Sequence, residues 1–317
     1  MFVLIIVLLI ALIVLFAQFG SNYHTQVKVM RRFFKNKGTA PENYLELTSV
    51  ITDVDYMSVL SNGFLDIYTA NDAIAPQPVL LWVHGGGYVG GDKSCIKSWA
   101  HVIAAELKIA VASVNYCLAP DQHYPGPIVQ VGEALRFLTD NATRFNLDPT
   151  RIFLGGDSAG AQIASQYAAL VHNDSLKKTM KIFPPVSGEQ LRGVILCCGF
   201  YNMDNVLKSR FPAIKTFMWA YTNNKKLKTF ARKNELSTAK NLENGYCDVF
   251  ITCGDADPFL EQAKEFIADL EAANITADAY LPKVKGKKLG HEYQFLVGTT
   301  EADIALNKAV TFIEKRL

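Results

Sequence analysis

The sequence predicts an α/β fold: a doubly wound, mostly parallel central sheet flanked by helices. Three observations carry that expectation. Short extended runs rich in β-branched and aromatic residues recur along most of the chain, several of them are almost continuously apolar, and segments with a helical apolar period lie between them. A strand covered on both faces has no polar side to show, so uninterrupted apolar runs joined by helices point to parallel strands with crossover connections.

The chain has 317 residues, 50% hydrophobic and 20% charged, which suits one large domain with its own core. From Phe2 to Ala17 it is apolar without a break, and Gln18, Phe19 and Gly20 then lead into polar Ser21-Asn22. A run of this length is near the lower limit for crossing about 30 Å of hydrocarbon. It has no polar face, no basic start and no small-x-small cleavage site, so it reads as an uncleaved membrane anchor over residues 1–20 rather than a signal peptide. Residues 21–45 follow as a basic juxtamembrane segment, expected to contribute to a cap, and residues 46–317 form the main domain.

Within that domain, strands are expected at Thr48–Val59, Phe64–Ala70, Val79–Val83, Ala110–Asn115, Arg151–Leu154, Gly193–Cys197, Val249–Cys253 and Ile275–Leu281. Ile128, Val131, Leu135, Leu138 and Ala142 repeat at intervals of 3 and 4, as do Leu306, Val310, Ile313 and Leu317, and both sets predict amphipathic helices. Around residues 200–243 the rhythm breaks into a Lys-rich stretch dotted with aromatics such as Trp219 and Tyr221, which reads as a helical cap insertion.

Charge narrows the function. The first 41 residues have no acid but carry Lys28, Arg31, Arg32, Lys35 and Lys37, leaving 27 basic against 30 acidic groups in the rest, a net of −3. A slightly acidic body has no electrostatic footprint for nucleic acid. Cys95, Cys117, Cys197, Cys198, Cys247 and Cys253 show no C-x-x-C pair and no disulfide framework, and read as small buried thiols. No histidine pair has metal-ligand spacing, so no metal is expected, and the chemistry of the motifs below calls for no cofactor.

The chemistry concentrates in a few motifs. Gly156-Asp157-Ser158-Ala159-Gly160 lies between the apolar strand Ile152-Phe153-Leu154 and a helical segment. A tight strand-to-helix turn with flanking glycines exposes the serine hydroxyl of Ser158 as a nucleophile, whereas the same pentapeptide elsewhere is only a helix cap. Upstream, Leu80-Leu81-Trp82-Val83 runs into His84-Gly85-Gly86-Gly87. The backbone N–H groups of Gly86 and Gly87, with that of Ala159, would form an oxyanion hole. A phosphate loop would need the G-K-[ST] ending that is missing here.

These motifs, with Asn115-Tyr116-Cys117-Leu118-Ala119-Pro120 and Asp148-Pro149-Thr150-Arg151-Ile152, resemble the hormone-sensitive-lipase-like family of α/β-hydrolases, which includes esterases and the arylacetamide-deacetylase type. The resemblance covers about residues 78–295 and implies a Ser, acid, His order along the chain. Asp257, before Pro258, matches the family's acid loop, with Asp255 as the competitor. His291 matches the base, although Glu292 follows it where the family has glycine in H-G-F.

The resemblance therefore implies a serine carboxylesterase acting on short- to medium-chain acyl esters through an acyl-enzyme on Ser158. The same triad would serve an amidase, a deacetylase or an acyltransferase, and the same fold a non-catalytic receptor. The expected partners are a small-molecule ester and the membrane. The basic residues after the anchor predict a body facing the cytosol, against which stand the sequons Asn141-Ala142-Thr143, Asn173-Asp174-Ser175 and Asn274-Ile275-Thr276.

Overall fold

A computed structural model describes residues 23–31, 34, 39–296 and 298–317. The expected anchor over residues 1–20 lies outside the described residues. Among those described, no helix is long and apolar enough to cross a membrane.

Eight strands form one sheet: β1 (Thr48–Asp55), β2 (Phe64–Ala70), β3 (Gln77–Val83), β4 (Ala110–Val114), β5 (Leu147–Asp157), β6 (Leu191–Cys197), β7 (Val249–Thr252) and β8 (Ala277–Tyr280). Their order is β1-β2-β4-β3-β5-β6-β7-β8. β1 and β2 pair antiparallel, as do β2 and β4, and every pairing from β4 onward through β3 to β8 is parallel. Every residue of β3 and β4 is buried, so both faces of the sheet's middle are covered. That is the physical content of the uninterrupted apolar runs.

Among the described residues, seven α-helices run for eight residues or more: α1 (Tyr23–Met30), α2 (Lys97–Leu107), α3 (Gly126–Asp140), α4 (Ala159–His172), α5 (Ile214–Thr222), α6 (Leu260–Ala272) and α7 (Thr300–Glu314). α2 packs with α7, and α3 with α4. In α3 the expected stripe is buried at Ile128, Val131, Leu135 and Leu138, but the helix ends at Asp140, before Ala142. In α7 the expectation holds in part: Ile313 is buried and Leu306 and Val310 are half-buried against the core, but Leu317 is exposed and Ala302, Ala305, Ala309 and Phe312 share the buried face. Alanines on the buried face let this helix sit close to the sheet, where Phe312 covers Gly193 of β6.

β1 stops at Asp55, short of the expected Val59. Asp53, Met57 and Asn62 have positive φ, and the Tyr56 N–H bonds the Gly63 carbonyl at 3.0 Å, so the chain has already turned back toward β2.

The described residues within 21–45 pack in two different places. α1 packs on α5 through Tyr23, Val27, Phe217 and Ala220, with Val89 and Ala119 in the same cluster. The short helix Glu42–Leu45 packs instead beside β1 and α2. α5 lies in the long connection between β6 and β7, within the stretch expected to insert a cap.

Candidate active site

Four connections leave the C-terminal ends of parallel strands β3, β5, β7 and β8 and converge. This is the edge where open α/β sheets bind ligands. Ser158 stands alone between the last residue of β5 and the first of α4, at φ 51° and ψ −117°. A residue with a Cβ pays about 1–3 kcal/mol for such a conformation and keeps it only where its surroundings enforce it. Here the Ser158 N–H donates to the Cys197 carbonyl at 2.8 Å, and the Ser158 carbonyl accepts the Gln162 N–H at 3.2 Å. The first turn of α4 also presses on the end of β3: a Cβ on Gly160 would lie 2.0 Å from the Val83 carbonyl oxygen.

The relay partners arrive from the loops after β7 and β8. His291 Nε2 lies 2.9 Å from Ser158 Oγ, and its Nδ1 lies 2.8 Å from Asp257 Oδ2. The Asp257 side chain is fully buried, and its other oxygen accepts the Phe259 N–H at 2.8 Å. The structure thus brings Ser158, His291 and Asp257 together in one line. Asp255 is elsewhere: its Oδ1 accepts the Leu289 N–H at 2.8 Å, two residues before His291. That hydrogen bond and nearby Lys288 hold its pKa below the ordinary carboxylate value. Asp255 therefore ties the two loops together without touching the imidazole.

Gly86 and Gly87 lie on the loop after β3 with φ of +102° and +60°. A side chain at Gly86 would meet the Gly90 carbonyl oxygen at 2.2 Å, because the turn closes there, with the Val89 and Gly90 N–H groups both donating to the Gly86 carbonyl. Ala159 begins α4, so its N–H has no acceptor within the helix. His84 of the same motif is buried, stacked on Tyr116 at 4.4 Å, and its ring contacts the Gly85 carbonyl. Burial pushes its pKa down to about 4, so it stays neutral.

Two carboxylates besides Asp257 bear on the relay. Asp157 accepts the Trp82 indole N–H and the Gly85 N–H, both at 2.9 Å, and so locks the glycine loop to the serine turn. Burial and, after it, the charge of Glu292 push its pKa up, against those two donors. Glu292 Oε1 lies 3.7 Å from His291 Nε2. Burial opposes the charged imidazole, but Asp257, then Glu292 and Asp157, outweigh it and hold the His291 pKa above its ordinary value.

Aromatic side chains crowd His291. Phe211 and Phe259 meet the His291 ring edge-on at 4.7 Å and 5.6 Å, and Phe217 stands against Gly87. Arg31, just after α1, donates Nε to the Val89 carbonyl and Nη2 to the Ala119 carbonyl, each at 2.9 Å, and pairs with Asp121 at 2.7 Å. Sequence reasoning missed Asp157, Arg31 and the three phenylalanines as site neighbours. Asp157 was legible as the residue inside the serine pentapeptide, whereas no local pattern marks the others.

Among the described residues, Cys198, Asp257 and His291 have donor atoms within 4.8 Å of one another, close enough to share an ion. Two of them are already joined in the relay, and burial, then Asp257, push the Cys198 thiol well above its ordinary pKa.

A family model described as alpha/beta hydrolase fold matches residues 80–292. Arylacetamide deacetylase-like 2 of Homo sapiens is 26% identical over 217 residues, covering 61% of this chain and 53% of the relative. Carboxylesterase NlhH of Mycobacterium tuberculosis is 40% identical over 153 residues, 46% of each chain. This chain therefore spans about half the length of these two relatives. Among solved structures, esterase B from Lactobacillus rhamnosis superposes with a TM-score of 0.75 at 18% identity over 92% of both chains. A thermostable esterase from Pseudomonas putida gives 0.73 at 18% identity, covering 97% of this chain and 96% of its own. At such identity these two show the shared fold.

Proposed function

The chain belongs to the alpha/beta hydrolase fold family, and from that premise we propose that it is a serine carboxylesterase acting on short- to medium-chain acyl esters. The observation that carries the proposal is the unbroken hydrogen-bonded line from Ser158 Oγ through His291 to Asp257. Names of relatives such as carboxylesterase NlhH point the same way.

In this reading Ser158 Oγ attacks the ester carbonyl while His291 Nε2 takes its proton, and Asp257 stabilises the imidazolium that results. The carbonyl oxygen becomes negative and is received by the N–H groups of Gly86, Gly87 and Ala159. Collapse breaks the bond to the leaving oxygen, which takes the proton from His291. Water then attacks the acyl-enzyme with His291 again as base, and the acid departs as Ser158 regains its proton. The strained backbone at Ser158 and the glycine loop fixed by Asp157 support this reading, because both hold the reacting groups before substrate arrives.

The stretch around residues 200–243, which carries Phe211, Phe217 and α5, is the proposed cap, with α1 braced on α5. We also propose that residues 1–20 anchor the protein in a membrane with the body on the cytosolic side. A fluorophosphonate probe tests the core of the reading: it should label the native protein, and Ser158→Ala should abolish the label. Undiminished labelling of that variant would sink the assignment.

A further inference from the structure

We propose that Glu292 makes this site selective for esters whose leaving alcohol carries a positive charge, such as an ammonium group. The inference rests on the esterase reading above and names the substrate class of that same site.

The first observation is conformational. Glu292 sits at φ 59° and ψ 29°, a left-handed conformation that favours glycine. A glutamate there carries a backbone cost that glycine would avoid, as several other non-glycine residues of this chain also do.

The second is where that side chain ends. Glu292 Oε1 lies 3.7 Å from His291 Nε2, the nitrogen that stands 2.9 Å from Ser158 Oγ. That nitrogen hands the proton to the leaving oxygen, so the leaving oxygen must come within about 3 Å of it. The alcohol side of the substrate is thereby brought beside the Glu292 carboxylate. The same oxygen reaches toward the end of β3: a Cβ built on Gly85 would lie 3.1 Å from it. The carboxylate thus spans from the base to the root of the glycine loop.

The third is charge balance. Among the described residues, no Lys or Arg pairs with Glu292, and its recorded ion-pair partner is His291. The other acidic groups facing the relay are Asp257 and Asp157, and burial with the charge of Glu292 pushes the Asp157 pKa up to about 8, so neither offers Glu292 a cation. His291 must be neutral before it can act as base, so in the reactive form of the site Glu292 has no cation beside it. A cationic substrate would supply one. An anionic leaving group would meet repulsion instead. Phe211 and Phe259 next to His291 add aromatic surface, a kind that tolerates an ammonium group well.

Glu292 is 40% exposed, so solvent screens the attraction. An effect of about two- to fivefold is expected, the range of partly exposed ion pairs. The test compares kcat/KM for acetylcholine and for its uncharged isostere 3,3-dimethylbutyl acetate in the native enzyme, Glu292→Gln and Glu292→Gly. Glutamine keeps the shape, and glycine relieves the backbone. The native ratio of cationic to neutral ester should exceed that of both variants and should decline with added salt. An unchanged ratio in all three, with the neutral ester hydrolysed, overturns the inference and leaves the esterase reading standing. Hydrolysis of neither ester, together with no phosphonate label on Ser158, overturns both.

Discussion

Asp255 and Asp257 differ by two positions and by the partner each has found. Asp257 is buried and bonds the His291 imidazole; Asp255 bonds the backbone that carries His291. Asp257→Asn should therefore lower turnover by about 10⁴-fold, since the amide no longer favours the correct tautomer or the imidazolium. Asp255→Asn should affect turnover far less, and parallel assays of the two variants check the ranking. Glu292 adds a pH signature. Its charge favours protonated His291, which is the inactive form of the base. The acid limb of kcat/KM should fall at a midpoint above the ordinary histidine value of about 6.5. Removing that charge in Glu292→Gln destabilises the imidazolium, so the midpoint should move down, and a pH profile on the neutral ester reads the shift directly. A midpoint that does not move would show that solvent already screens the carboxylate from the imidazole.

Among the elements, α1 has the least local warrant for its position and the most specific attachment. Val27 is buried, Tyr23 meets Trp219 with ring centroids 4.6 Å apart, and Thr216 donates to Gln26 at 2.9 Å. Arg31 then spans to the carbonyls of Val89 and Ala119, next to the glycine loop and the Ala119-Pro120 turn. Arg31→Ala leaves buried carbonyl oxygens without their donor, which typically costs about 1–3 kcal/mol. The expected outcome is a lower Tm together with reduced turnover, because the loop carrying Gly86 and Gly87 loses its brace. Arg31→Lys should not restore it, since a single ammonium cannot reproduce two directed N–H groups and an ion pair. Thermal unfolding and steady-state kinetics on both variants check this, and a native-like Tm and turnover for Arg31→Ala would refute the brace.

At the scale of the whole molecule, the body stands on a sheet whose eight strands were all legible, while its orientation to a membrane is a proposal from the first 41 residues. Protease added to sealed vesicles of known sidedness should leave the body intact when only the lumenal or outer face is exposed to it; digestion from that face reverses the orientation, and untruncated protein in the soluble fraction removes the anchor. What the sequence determined by itself was whatever short-range chemistry controls. Apolar runs marked the strands, and the glycines of Gly156 to Gly160 and His84 to Gly87 marked turns that few other residues can make. With the order of motifs, these named Ser158, His291 and the pair of candidate acids before any coordinates. Only the tertiary structure shows which of those acids reaches His291, because Asp255 and Asp257 share one loop and differ in which neighbour each bonds. It likewise set alanines and Phe312 beside Ile313 on the buried face of α7. It brought Arg31, Phe211 and Phe217 beside a loop more than 50 residues away in sequence from Arg31, and it turned Glu292 toward His291 Nε2. Such contacts depend on how close-packed layers meet, and no local pattern of residues encodes that distance.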